Sequence, residues 1–250
     1  MNARQHELRL TVEVRQVTDA VECIFHSLFL HRTLPKFYFQ AEKKFNLGSI
    51  GIIEVNCENI DITYARVNSP ELAMCIEENI RTFKSDVDEA CCSGSAPRRT
   101  PSVGSPSDSA VPLLSAQIGV DFYQKLRRQS VGGSLGSWIG GTTNEDQTWE
   151  QWKLYLDIFR VESIDELAVM RQTVADKIGE MVLDMCERIN QSLYTPKMPS
   201  KTEVGDIFET KFVDSQPYLF KIKRQAVPNI PTRPSFSQIA LQRIWKDVLS

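Results

Sequence analysis

The chain has 250 residues, 42% of them hydrophobic and 24% charged, a balance that supports one buried core without a metal or disulfide framework. A formal net charge of −3 removes the electrostatic case for nucleic acid as the main partner, because such binding rests on Lys/Arg clusters that neutralise phosphates. No basic n-region followed by an apolar stretch opens the chain, and no window approaches about 18 uninterrupted apolar residues. The expectation is a soluble, cytoplasmic protein with no stable membrane insertion.

Six cysteines (Cys23, Cys57, Cys75, Cys91, Cys92 and Cys186) contain no Cys-x-x-Cys spacing and one vicinal pair. That arrangement suits neither a zinc knuckle nor an ordinary structural disulfide and reads as reduced thiols. Charge is mildly asymmetric: residues 197–250 carry nine Lys/Arg against five Asp/Glu, +4, which leaves −7 for the rest.

Leu8, Leu10, Val12 and Val14 alternate with polar residues, predicting a first strand with one buried face. From Val17 to His31 the apolar residues return every three or four positions, predicting a buried helix with Thr18 as its cap. Lys36–Phe39, Ile50–Val55 and Ile60–Val67 are short β-rich runs that read as a strand pair or meander. Ser69 and Pro70 open a second helix through about Lys84, with Leu72, Ile76, Ile80 and Phe83 on its apolar face.

Residues 86–115 are dominated by Ser, Pro, Gly and Arg and read as a disordered insertion. Ser115–Arg128 and the alternating Trp152, Leu154, Leu156 and Ile158 read as two long strands joined by a loose Gly/Ser-rich loop. Ser163 and Glu166 have capping-box spacing and start a long helix through about Gln191. A short ordered piece at Val204–Phe208, a strand through Tyr218, Phe220 and Ile222, and an amphipathic stretch from Phe236 to Leu249 complete the chain. The order of elements predicts an α+β fold: an antiparallel sheet with helices packed on one side.

Catalytic constellations are missing. His6, His26 and His31 read as structural or surface histidines, so no triad, metal site or cofactor is expected and the chain is not read as an enzyme. The glycines of 132–141 have no following Gly-Lys-Ser/Thr and read as a flexible loop tip. Ser130, beside Arg127 and Arg128, and Thr100 and Ser102, beside Arg98 and Arg99, are candidate phosphorylation sites. Trp138, followed by Ile139, is a large aromatic with no periodic partners. It reads either as an exposed protein-binding anchor or as a side chain buried when the loop folds back. Trp149 and Trp152 read as core. The basic C-terminal region and its amphipathic stretch leave a membrane-surface module as a competing function class.

Several strings taken in order carry a resemblance: Val12-Glu13-Val14-Arg15-Gln16-Val17, Asp61-Ile62-Thr63-Tyr64-Ala65-Arg66-Val67, Phe122-Tyr123-Gln124-Lys125, Pro196-Lys197-Met198-Pro199, Gln216-Pro217-Tyr218-Leu219-Phe220-Lys221-Ile222 and Ile244-Trp245-Lys246-Asp247. They resemble the autophagy-related protein 101 family, HORMA-domain subunits of the autophagy-initiation (Unc-51-like kinase) complex. The resemblance implies a single HORMA domain over 1–250, an antiparallel sheet backed by three helices, with a projecting finger loop at 130–148 and a C-terminal amphipathic segment. It implies an adaptor that pairs with and stabilises the HORMA domain of autophagy-related protein 13. It further implies contact with the kinase-complex scaffold and recruitment of downstream autophagy factors at the phagophore assembly site. The family's finger has a Trp-Pro-Phe core; here Trp138 keeps the position while Ile139 and Gly140 replace Pro and Phe, reducing the aromatic pair to one anchor.

Overall fold

The computed structural model describes residues 3–42, 44–92, 112–128, 143–191 and 194–227. The first strand, β1 (Arg4–Glu13), ends where a 3-10 turn at Val14–Gln16 leads into helix α1 (Val17–His31). Five short strands follow: β2 (Thr33–Pro35), β3 (Phe37–Ala41), β4 (Lys44–Leu47), β5 (Ile52–Asn56) and β6 (Thr63–Val67). After α2 (Pro70–Cys92) come the two long strands β7 (Leu114–Arg128) and β8 (Thr143–Phe159), then α3 (Ile164–Asn190), the one-turn α4 (Val204–Ile207), β9 (Ser215–Pro217) and β10 (Phe220–Val227).

The architecture is α+β. The main sheet has the order β1-β8-β7-β10; β7 pairs antiparallel with both β8 and β10, whereas β1 joins β8 in parallel, from Arg4↔Glu150 to Glu13↔Phe159. Alternation decides which face is covered: Leu8, Leu10 and Val12, then Leu114, Ala116, Ile118, Val120 and Phe122, then Trp152, Leu154, Leu156 and Ile158 are all buried. Helices α1, α2 and α3 pack against that face and supply Ile24, Phe25, Phe29, Ile76, Ile80, Phe83, Ile178 and Met185 to one continuous core. The hairpins β3–β4 and β5–β6 and the pair β2–β9 lie outside the main sheet as separate two-stranded ladders.

Differences from the sequence reading have local causes. Thr18 does not cap α1. The chain enters the helix through the 3-10 turn, where the Glu13 side chain accepts from Arg15 N at 2.7 Å and the Gln16 side chain reaches back to Glu13 N at 3.0 Å. Helix α2 continues past Lys84 to Cys92, held by buried Val87 and an i,i+4 pair, Lys84–Asp88, at 2.5 Å. The first seven residues of the expected insertion are therefore helical and Leu114–Ser115 already belong to β7; residues 93–111, with Thr100 and Ser102, lie outside the described residues. At α3, Ser163 Oγ accepts from Glu166 N at 3.5 Å, as the capping spacing predicts. The Lys36–Phe39 run forms β3, whose partner is β4 and not either of the other two β-rich runs, which pair with each other as β5–β6.

Candidate functional site

Strands β7 and β8 extend their ladder beyond the sheet's body, through Tyr123↔Thr148 out to Arg128↔Thr143. Residues 143–148 are thus strand, and the expected finger narrows to 129–142, the interval between the two strands. Trp138, Ile139 and Ser130 fall in that interval, outside the described residues, as does the amphipathic stretch 236–249. What the structure places is the stem that carries the loop.

The stem is anchored by a bulge. Phe122 faces Glu150 while Tyr123 faces Thr148, so Trp149 is the extra residue on β8, and both Trp149 and Glu150 turn inward. Trp149 packs on Phe122, Tyr194 and Tyr218 at centroid distances of 5.8, 6.5 and 5.3 Å. Glu150 is fully buried, and Arg32, just past the end of α1, meets it with two hydrogen bonds of 2.6 and 2.8 Å. The same guanidinium lies over the Trp149 ring at 5.6 Å. From β1, Arg4 approaches Glu150 at 3.7 Å and donates to Tyr194 O at 2.7 Å, while His6 stacks on Trp152 at 4.1 Å. Farther out, Gln124 donates to Gln147 at 2.9 Å, and Lys221 of β10 pairs with Asp146 at 2.7 Å and covers the Tyr123 ring at 4.6 Å. A loop mounted here is held by α1, β1 and β10 together.

A second polar cluster lies between α1, β6 and α2. Glu22 accepts from the Tyr64 hydroxyl at 3.5 Å, and Arg66 pairs with Glu77. Burial, with Glu77 and Asp19 adding like charge, pushes the Glu22 carboxyl up to about 7. His26 is buried and stacked on Tyr64 at 5.6 Å; burial, reinforced by Arg66, pushes its imidazole down to about 3. The three histidines are therefore dispersed: His6 on Trp152, His26 on Tyr64, and His31 at 3.2 Å from Cys186 Sγ. Among the described residues no group of three or more His, Cys, Asp or Glu side chains could hold a metal ion, and no helix is long and apolar enough to cross a membrane. Trp149 and Trp152 are core residues, as the sequence predicts. The Arg32–Glu150 pair and the Glu22–Tyr64 contact were not singled out from the sequence, since their partners are 118 and 42 positions apart and carry no local pattern.

Some exposed apolar side chains lie on segments tied to one another by hydrogen bonds. Tyr38, Leu47, Ile52 and Val213 are each more than half exposed. Their segments are tied together by Gly48 N to Lys36 O, Lys36 Nζ to Phe212 O, Val213 N to the Glu71 carboxylate, and Asn68 N to Gly51 O.

The family model for autophagy-related protein 101 matches residues 9–202, a span that contains the second half of β1, both β7 and β8, and α3. The chain belongs to the autophagy-related protein 101 family. The chain is 30% identical to autophagy-related protein 101 of Xenopus tropicalis and of Xenopus laevis and 29% identical to that of Homo sapiens, in each case over the full length of both chains. Family membership therefore covers the Arg32–Glu150 anchor, the bulge at Trp149 and the stem alike.

Proposed function

We propose that this chain is a non-enzymatic HORMA-domain adaptor of the autophagy-initiation (Unc-51-like kinase) complex. In this reading it acts in the cytoplasm and at the phagophore assembly site, pairs with and stabilises the HORMA domain of autophagy-related protein 13, and presents residues 129–142 to downstream autophagy factors. Membership of the autophagy-related protein 101 family over the full length carries the proposal. Two further features support it. A stem fixed by a buried ion pair and a bulge is the mount a recruiting loop requires, because rigidity lowers the entropy lost on binding. The exposed apolar group around Tyr38, Leu47, Ile52 and Val213 offers the kind of surface that a protein interface buries.

Co-expression with the HORMA domain of autophagy-related protein 13 tests the pairing. The expected result is a one-to-one complex with a higher melting temperature than either chain alone, since each partner stabilises the other by mass action. Failure to co-purify refutes it. For recruitment, Trp138→Ala is expected to leave folding and pairing intact and to reduce capture of later autophagy factors. Unchanged capture removes Trp138 as the anchor.

A further inference from the structure

Strand β1 is an edge of the main sheet: β8 is its neighbour on one side, and among the described residues no strand lies on the other. An edge of this length presents a row of backbone N–H and C=O groups that a second extended segment can pair with. The side chains on its solvent face decide which segment fits. Gln5, Glu7 and Arg9 are exposed and Thr11 is half-buried, whereas Leu8, Leu10 and Val12 point into the core. Glu7 and Arg9 both rest on Tyr155 of β8: the phenol donates to Glu7 at 3.3 Å, and the Arg9 guanidinium lies 4.8 Å from the ring centroid. Among the described residues neither is in an ion pair. We propose that the free edge of β1 is a self-association surface, on which a second copy of this chain lays its own β1 antiparallel about a two-fold axis at Leu8.

Charge complementarity selects both the occupant and the register. With Leu8 on the axis, Glu7 stands opposite Arg9 of the second copy and Arg9 opposite its Glu7, while Gln5 meets Thr11. The two-fold makes each opposite-charge pair occur twice, as a self-complementary interface requires. A slide of two residues in either direction sets Arg9 against Arg9 or Glu7 against Glu7, and in-register parallel pairing does both; like charges directly opposite one another are destabilising. A slide of one residue turns the apolar row of one strand against the polar row of the other. The sheet's other edge has no such pattern. On β10 the exposed row is Lys221, Lys223 and Gln225, with Lys221 held by Asp146 and Lys223 by Asp121, and self-pairing centred on Ile222 sets lysine against lysine. Pairing through β1 joins two four-stranded sheets into one of eight and keeps every helix on the same side, because the axis is perpendicular to the sheet. The inference is independent of the adaptor role proposed above, which concerns a different partner chain.

The test is sedimentation of the purified full-length chain over a wide range of concentration, alone and as charge-swapped variants. The native chain is expected to show a reversible monomer–dimer equilibrium. Glu7→Arg and Arg9→Glu each turn both attractive pairs into repulsive ones and are expected to weaken the dimer by about tenfold or more. The double variant Glu7→Arg with Arg9→Glu restores opposite charges at both pairs and is expected to return to within about threefold of the native Kd. An equimolar mixture of the two single variants is expected to form mixed dimers, since one then carries two cations on this row and the other two anions. That recovery also separates broken pairing from misfolding, because misfolded chains do not regain association when mixed. A native chain that stays monomeric at every concentration overturns the proposal, whatever else covers the edge. So does a dimer indifferent to both single swaps, or one that neither the double variant nor the mixture restores.

Discussion

Replacing Glu150 by Gln keeps the side chain's size and removes its charge, leaving the Arg32 guanidinium buried without an ionic partner of full charge. The Gln oxygen still accepts one of the two short bonds, but its NH2 group sets a donor against the other guanidinium N–H, and the His31 carbonyl at 3.4 Å and the Trp149 ring face do not replace the lost charge. Both side chains are nearly or fully buried, at 5% and 0% exposure, so solvent screening offers little relief. Breaking one half of such a pair costs about 3–5 kcal/mol. For a chain of this size each kcal/mol moves the melting temperature by about 2–4 °C, which gives an expected fall of about 6–20 °C for Glu150→Gln in a circular-dichroism melt. The double variant Arg32→Met with Glu150→Leu removes both charges together and is expected to recover more than half of that loss. A Glu150→Gln melt within about 2 °C of the native protein, or a double variant no more stable than the single one, would refute the claim that this pair anchors the stem.

Other positions give independent checks. A Cβ at Gly119 would stand 2.6 Å from the Trp152 carbonyl oxygen, a backbone atom that cannot turn away. Gly119→Ala is therefore expected to cost about 1–3 kcal/mol in urea unfolding. The raised carboxyl of Glu22 means that the folded state binds more protons than the unfolded chain between about 4.5 and 7, so its contribution to stability falls as pH rises through that window. Glu22→Gln should flatten this part of the stability profile and melt higher than the native chain above pH 7. For His26 the sign is opposite: the depressed imidazole contributes stability that is complete above its ordinary 6.5 and is lost as pH falls toward about 3. His26→Phe should blunt the acid side of the profile. Ser163→Ala removes the cap on α3 and should cost about 1 kcal/mol by the same unfolding assay.

Where the signal was periodic, the sequence was enough. Val17–His31 is helical over the predicted residues because its apolar positions recur at helical spacing, and β7 and β8 alternate as sheet strands with one buried face must. Helix α2 outran its reading because the apolar face of Ile80 and Phe83 continues only through Val87 and the small, partly buried Ala90 and Cys91, a signal weaker than the Ser/Pro/Gly/Arg composition that follows it. The parallel placement of β1 was illegible for another reason: alternation reports which face is buried but not the direction of the neighbour. At the candidate site, the position of the loop followed from its glycines and from a family resemblance, whereas the anchor beneath it did not. Glu150 reads as an ordinary strand glutamate until the bulge at Trp149 turns it inward toward a cation 118 residues earlier in the chain.

The parallel pairing of β1 with β8 sets a timetable for synthesis. Arg4 finds its partner Glu150 only after 146 further residues have been made, which at ribosomal speeds of about 5–20 residues per second is a wait of about 7–30 s. Over that interval α1, α2 and the β5–β6 hairpin close from neighbouring residues, while β1 keeps its alternating apolar face and its unpaired backbone open to misassociation. Within the main sheet β1 therefore waits longest between its own synthesis and its pairing, whereas β10 finds β7 already made, so the exposure of an unpaired apolar strand during synthesis falls most heavily on Arg4–Glu13.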